Sequence, residues 1–160
     1  MKRLLLLLLA VIAQAHGAEP ALPVKAITAV VNDYGNSIGC EVHIDNKNIV
    51  PYTLDYQDVY VVLYSIDPEC SGGSAMSRAV FAVVGRSDYG RKLYVLPKYS
   101  SPHQTSIDFP AYTYRLFVKD GQLRFLAKAL ANSDALCCPS IPVEGRAIFR
   151  DGNWVNGDKK

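Results

Sequence analysis

A serine between two glycines is the first place where this sequence could carry chemistry. Gly35, Ser37 and Gly39 fit the pattern G-x-S-x-G, in which a sharp turn between a strand and a helix exposes a nucleophilic serine. That mechanism needs a parallel sheet with alternating helices, followed downstream by an aspartate and then a histidine. Here the glycines lie in a run of turn-forming residues, so the sequence favours a simple turn over a nucleophile at Ser37.

Histidine is the usual general base near neutral pH, and two histidines lie inside the predicted domain. His43 alternates with Val42 and Ile44 and is expected to face solvent from a strand, while His103 lies in a loop of polar residues. A cysteine nucleophile paired with either histidine is the alternative, but a thiol engaged in a disulfide cannot attack a substrate. The sequence therefore predicts no catalytic residue and no enzymatic activity.

Four cysteines, Cys40, Cys70, Cys137 and Cys138, predict a disulfide framework, because an even count in an exported chain is typical of one. Three pairings are possible. A bond between Cys137 and Cys138 would close an eight-membered ring across one peptide bond, so we expect each of them to reach a distant partner. Cys40 and Cys70 would then both be tied to the corner at residues 137–138.

No metal ion or cofactor is predicted. The cysteines lack C-x-x-C pairs and a flanking histidine cluster, as a zinc site would have. Asp55, Asp58 and Asp67 do not form a D-x-D-x-D-G loop, so they do not predict calcium binding.

Export is predicted from the first residues. Lys2 and Arg3 precede an apolar run at residues 4–12, which is shorter than the roughly 20 residues of a membrane span. Small residues at Ala13 and Ala15 form a cleavage pattern, so residues 1–17 are predicted to be a removed signal peptide. We expect a periplasmic or secreted protein with no membrane anchor in its mature form.

Charge excludes two classes of partner. The chain has 17 basic and 15 acidic residues, and loss of Lys2 and Arg3 with the signal peptide would make the two equal. Such a balance gives no net basic field for nucleic acid or for an anionic membrane.

The elements that must position these residues are mostly short strands rich in β-branched and aromatic residues. Strands are predicted at residues 26–31, 42–44, 59–64 and 79–84, with turns at 32–36, 45–48, 71–74 and 87–90. Asp-Gly pairs at 120–121 and 151–152 predict two hairpins. Residues 24–32 and 123–132 could form helices on composition, although 24–32 is rich enough in Val and Ile to favour a strand. The predicted fold is mainly β, an antiparallel sandwich or open barrel tied by disulfides, with at most one or two short helices, over a single domain at residues 24–156 and a flexible tail at 157–160.

Tyrosines offer a further indication of function. The chain has ten, several of them in its middle third, and tyrosine is favoured at protein interfaces because it buries much area at little entropic loss. Ordinary packing between strands is the alternative explanation.

Three stretches of this sequence resemble known exported proteins. Residues 63–74, the Asp-Gly hairpin, and residues 135–140 followed by 149–154 are similar to exported bacterial β-domains of the LppP/LprE lipoprotein type, which have no agreed activity. This chain departs from them because it lacks the cysteine that carries the lipid. That resemblance implies an envelope binding module of unassigned ligand.

The Cys-Ser-Gly-Gly-Ser turn and the Cys-Cys-Pro-Ser corner are also similar to periplasmic immunity proteins that neutralise type VI secretion amidase toxins, enzymes that cut peptidoglycan peptides. In that family a loop carrying a serine plugs the Cys-His active site of the toxin. The resemblance implies that the matching loop here binds the partner through Tyr99, Ser100, Ser101, His103 and Gln104, with Ser101 as the leading candidate for the serine.

Overall fold

A computed structural model of the chain describes residues 22–72, 78–87, 89, 92–100, 109–135 and 137–158. The predicted signal peptide and the last two residues of the predicted tail lie outside these ranges. The elements, in chain order, are helix α1 (Val24–Ile38), strands β1 (Cys40–Leu54), β2 (Gln57–Asp67), β3 (Arg78–Arg86) and β4 (Leu93–Val95), a 3-10 turn (Pro97–Tyr99), and strands β5 (Tyr112–Lys119), β6 (Gln122–Ala129), β7 (Ile141–Arg150) and β8 (Asn153–Asn156).

The strands form two antiparallel sheets, each made of four strands in sequence order. The first sheet is β1-β2-β3-β4 and the second is β5-β6-β7-β8. Both Asp-Gly hairpins are confirmed: φ is positive at Asp120 and Gly121, and again at Asp151 and Gly152, as a type I′ turn requires. The prediction of a mainly β, antiparallel, disulfide-tied fold is therefore confirmed.

The two sheets bury one shared apolar core. Alternate residues of β2 and β3 face alternate residues of the second sheet, and the largest of these side chains are fully buried. Phe81 of the first sheet stacks against Trp154 of the second, with ring centroids 4.7 Å apart. The members of this core include Val61, Leu63, Phe81, Val83, Leu116, Phe125 and Trp154.

Helix α1 corrects the prediction of a strand at residues 26–31 and of a turn at 32–36. Ile27 and Val31 lie four residues apart, are fully buried, and pack on the face of the first sheet that points away from the second. Burial of Ile27 and Val31 in a helix outweighs the β propensity of Val and Ile. The first sheet supplies the apolar surface for this burial, and the local sequence does not reveal it. Within the described ranges, no helix combines the length and the apolar character needed to cross a membrane.

Strand β1 contains an irregularity where the sequence predicts a turn at residues 45–48. The register with β2 shifts between Ile44 and Ile49, and the displaced Asn48 is buried. The side-chain nitrogen of Asn48 donates to the Tyr114 carbonyl (3.0 Å), and its side-chain oxygen accepts from the Leu116 N–H (3.0 Å). The Asn48 side-chain amide thus makes with β5 the two hydrogen bonds that the backbone of a neighbouring strand would make, and it joins the two sheets.

The disulfides are paired differently from the prediction. Cys40 is bonded to Cys70, with Cα atoms 5.2 Å apart, and Cys137 is bonded to Cys138. The predicted corner that joins all four cysteines is therefore wrong. The physical reason is register, because the antiparallel pairing of β1 and β2 sets Cys40 opposite Asp67 and brings Cys70, three residues later, within reach.

Replacing Asn48 by Ala should lower the free energy of unfolding by about 2 kcal/mol, because a buried N–H and a part-buried carbonyl of β5 would lose their partners. Urea unfolding followed by circular dichroism measures the change. Asn46→Ala, at an exposed position of the same strand, should stay within about 0.5 kcal/mol of the wild type. Equal losses for the two variants would contradict the bridging role of Asn48.

The two disulfides should differ in their effect on stability. The Cys40–Cys70 bond spans 30 residues, so the double variant Cys40→Ala, Cys70→Ala should lose about 3–4 kcal/mol of unfolding free energy through loop-closure entropy. The double variant Cys137→Ala, Cys138→Ala opens a ring with no intervening residue and should lose less than about 1 kcal/mol. Urea unfolding measures the stability of both variants, and peptide mapping of the unreduced protein identifies the disulfide pairs. A larger loss of stability for the second variant would count against this pairing.

Candidate functional site

The first residues of the predicted contact loop form part of the framework. Ser100 is fully buried; its hydroxyl donates to the Leu96 carbonyl (2.6 Å) and accepts from the Val83 N–H of strand β3 (2.9 Å). The Tyr34 hydroxyl of helix α1 donates to the Ser100 carbonyl (2.7 Å). Ser100 is therefore tied to both the helix and the first sheet.

Tyr99 is the second anchor, and it connects three parts of the protein. Its ring is buried and packs edge-on against Phe149 of the second sheet. Its carbonyl accepts from the Trp154 indole N–H (2.9 Å), and its hydroxyl donates to the Asp55 carboxylate (2.6 Å). The Tyr99 hydroxyl bond, and next the Lys98 ammonium, lower the pKa of Asp55, so this carboxylate is ionised at neutral pH.

These contacts change the interpretation of the predicted partner-binding residues. The side chains of Tyr99 and Ser100 are buried and bonded within the chain, so they support the loop and do not offer a surface to a partner. Ser101, His103 and Gln104 lie outside the described residues. The chain is described again at Phe109, which is buried and packs against Phe81 and Phe125 at ring distances of 5.2 and 4.6 Å. Residues 101–108 thus begin and end at buried anchors.

The β1–β2 turn, which Asp55 stabilises, has an unusual backbone. φ is +47° at Asp55 and +64° at Tyr56, the left-handed region that a type I′ turn usually fills with Asn and Gly. A side chain larger than these costs about 1–2 kcal/mol in that region. Tyr56 is fully exposed, so packing of its own ring within this chain does not offset the cost.

A second exposed tyrosine lies at the same end of the first sheet. Strand β2 starts just after the β1–β2 turn, and β3 runs antiparallel to it with Val84 opposite Tyr60. The β3–β4 connection therefore leaves the sheet at this end, and it contains Tyr89, which is also fully exposed. We call Tyr56, Tyr89 and the exposed Lys98 the turn surface.

The candidate catalytic residues are not brought together in the described part of the chain. Ser37 is exposed in the last turn of α1 and its hydroxyl donates to the Tyr34 carbonyl (2.6 Å). His43 is exposed on β1, as predicted, and no hydrogen bond joins it to Ser37 or to a sulfur among the described residues. All four cysteines are in disulfides. No group of three or more His, Cys, Asp or Glu within the described ranges could hold a metal ion.

An open cleft of about 600 Å³ lies where the two sheets meet. Ser65 and Ala79 of the first sheet form one side, and residues 111–114 form the other, with Lys128 and Pro139 at its border. The walls are mostly apolar and include Tyr112 and Tyr114. A volume of this size could hold a small organic ligand.

The turn surface is the part of this site that sequence reasoning missed. Asp55 and Tyr56 lack the Asn or Gly that marks a hairpin, and the only sequence signal is a polar interruption between two strand-forming runs.

The chain matches no model of a known family, no curated protein and no solved structure.

Replacing Ser100 by Ala should destabilise the protein by about 1–3 kcal/mol, because the buried Val83 N–H would lose its acceptor. Thermal or urea unfolding measures the loss. Ser37→Ala, which removes an exposed hydroxyl, should change stability by less than about 0.5 kcal/mol. A Ser100→Ala variant as stable as the wild type would show that Ser100 is not an anchor.

Proposed function

We propose that this protein is a non-enzymatic inhibitor that acts in the periplasm, where it binds a peptidoglycan-cleaving amidase toxin and occludes its active site. The sequence resemblance to periplasmic immunity proteins suggests this class of partner. The observation that carries the proposal is the β1–β2 turn: Tyr56 is fully exposed in a strained conformation, and Asp55 beside it is bonded to Tyr99 at the base of the predicted contact loop.

Preorganisation is the physical basis of the proposed inhibition. A binding element that is already fixed in its bound shape loses less conformational entropy on association. Ser100 and Phe109, which flank the segment that contains Ser101, His103 and Gln104, are both buried in the framework. By the resemblance, the Ser101 hydroxyl would bond the catalytic imidazole of the toxin and block access to its cysteine.

Tyr56 fits the role of an anchor next to that loop. Tyrosine is enriched among the few interface residues that carry most of the binding energy. A strained residue that buries no surface in its own chain suggests a function outside the chain. Because the Asp55–Tyr99 bond holds the turn, Tyr56 would enter a pocket of the partner with little further ordering.

A second candidate function is an exported envelope module that binds a small ligand without turning it over. The apolar cleft between the sheets supports it, since its volume of about 600 Å³ is within the range of ligand sites. Tyr114 lines the cleft and belongs to the second sheet, so a variant there distinguishes the two functions.

Inhibition of a purified periplasmic Cys-His amidase toxin, assayed on peptidoglycan peptides, tests the proposal. The wild type should inhibit stoichiometrically and without being consumed. Tyr56→Ala should weaken inhibition by about tenfold or more, the loss typical of a truncated interface anchor. Ser101→Arg should abolish inhibition, because a bulky charged side chain would take the place of the proposed serine contact.

Tyr114→Ala is the matched control, because it removes an exposed tyrosine from the cleft instead of the turn. It should inhibit the amidase as the wild type does. If the wild type fails to inhibit every amidase of a panel that includes those encoded beside its own gene, the inhibitor proposal is wrong. A cellular ligand that is retained by Tyr56→Ala and lost by Tyr114→Ala would favour the envelope module.

A further inference from the structure

The outer face of the second sheet carries a concentration of basic side chains. Helix α1 packs only on the first sheet, so this face is not covered by any described element. Cross-strand pairing sets Phe117 opposite Arg124, and Arg124 opposite Arg146, which puts all three on the outer side. The basic face, as we call it, contains Arg115, Lys119, Arg124, Lys128, Arg146 and Arg150, with the acidic residues Glu144 and Asp158 among them.

This face differs in charge from the part of the protein formed by α1, β1 and β2. Residues 22–72, which form α1, β1 and β2, include only two basic residues, Lys25 and Lys47, and seven acidic ones: Asp33, Glu41, Asp45, Asp55, Asp58, Asp67 and Glu69. In the second sheet, Asp120 and Asp151 occupy the hairpin turns at one end and are not on the face. The near-zero net charge therefore conceals an uneven distribution, although the rest of the first sheet and the 3-10 turn add the basic residues Arg78, Arg86, Lys92 and Lys98.

The two central arginines are held in place by the acidic residues of the face. The Nε of Arg124 donates to Glu144 (2.9 Å), and the Nε of Arg146 donates to Asp158 (2.5 Å). Arg146 also donates to the Gly157 carbonyl (2.9 Å). Each guanidinium has five N–H donors, so these bonds orient the side chain and leave donors for a partner. Lys119 and Lys128 make no ion pair with any described residue.

We infer that the basic face is a docking surface for an acidic, carboxylate-bearing surface of a protein partner. Apolar side chains, Phe117, Leu126 and Ile148, alternate with the charged ones, and this mixture of arginine, aromatic and aliphatic groups is typical of protein interfaces. A nucleic acid or an anionic bilayer presents negative charge throughout, and the carboxylates of Glu144 and Asp158 in the middle of the face oppose it.

The size of the face indicates what kind of contact it makes. Four strands about 4.8 Å apart, with four to ten residues each, cover roughly 500 Å², less than the ~800 Å² per partner of a standard stable interface. The face is therefore suited to a weak contact that depends on salt, in which complementary charge raises the association rate.

Calorimetric binding of a short synthetic peptide in which glutamate alternates with leucine and tyrosine tests this inference on the full mature protein. The wild type should bind the peptide at low ionic strength and lose it at high salt. The double variant Lys119→Glu, Lys128→Glu should bind about tenfold more weakly. The matched control Lys25→Glu, Lys92→Glu makes the same change in net charge on the first sheet and its helix, and it should bind as the wild type does.

Three results would overturn the inference: no binding of the peptide by the wild type, equal loss in the two double variants, or tighter binding of duplex DNA or of phosphatidylglycerol vesicles than of the peptide. Circular dichroism of each variant confirms that it is folded before binding is compared. No amidase takes part in the experiment, so its outcome is separate from that of the inhibition assay.

Discussion

The hydrogen bonds of Tyr99 and Ser100 make one rigid unit of both sheets, the helix and the exposed turn. Ser100 bonds to β3 and accepts from α1, while the carbonyl and hydroxyl of Tyr99 reach Trp154 and Asp55. Breaking any of the buried bonds would leave a buried polar group without a partner, which costs about 1–3 kcal/mol. The β1–β2 turn and Ser100 therefore hold a fixed relation to each other, and this relation is what the proposed inhibitor depends on.

The two surfaces that this unit presents differ in their physical character. The turn surface is small, and it combines two exposed tyrosines with Lys98, which is paired with Asp55. The basic face is broad and flat, and its central arginines are oriented by Glu144 and Asp158. At physiological salt the Debye length is about 8 Å, so the charges of one surface act mainly on whatever contacts that surface. The proposed binding through the turn and the proposed charge-steered contact through the face can thus operate independently.

Features fixed by local chemistry could be predicted from the sequence, and features fixed by long-range packing could not. The Asp-Gly hairpins and the apolar strands β2 and β3 were predicted because their signals lie within a few residues. Residues 24–32 favour a strand over the helix that forms, because the surface that buries Ile27 is distant in sequence, and Asn48 was interpreted as a turn former although it bonds to a strand 66 residues away. The pairing of Cys40 follows from register, which residue types alone do not give.

Comparison of the turns within this chain shows that the fold does not require a tyrosine at position 56. Two other hairpins use Gly121 and Gly152 at the equivalent position, also with positive φ, so the chain makes unstrained turns elsewhere. The strain of about 1–2 kcal/mol at Tyr56 is tolerable because the β1–β2 hairpin is stabilised at both ends. Asp55 is bonded to Tyr99 at the turn, and the Cys40–Cys70 bond at the open end contributes about 3–4 kcal/mol. Neither the turn nor the core needs the aromatic ring, and the proposed contact outside the chain would account for its place.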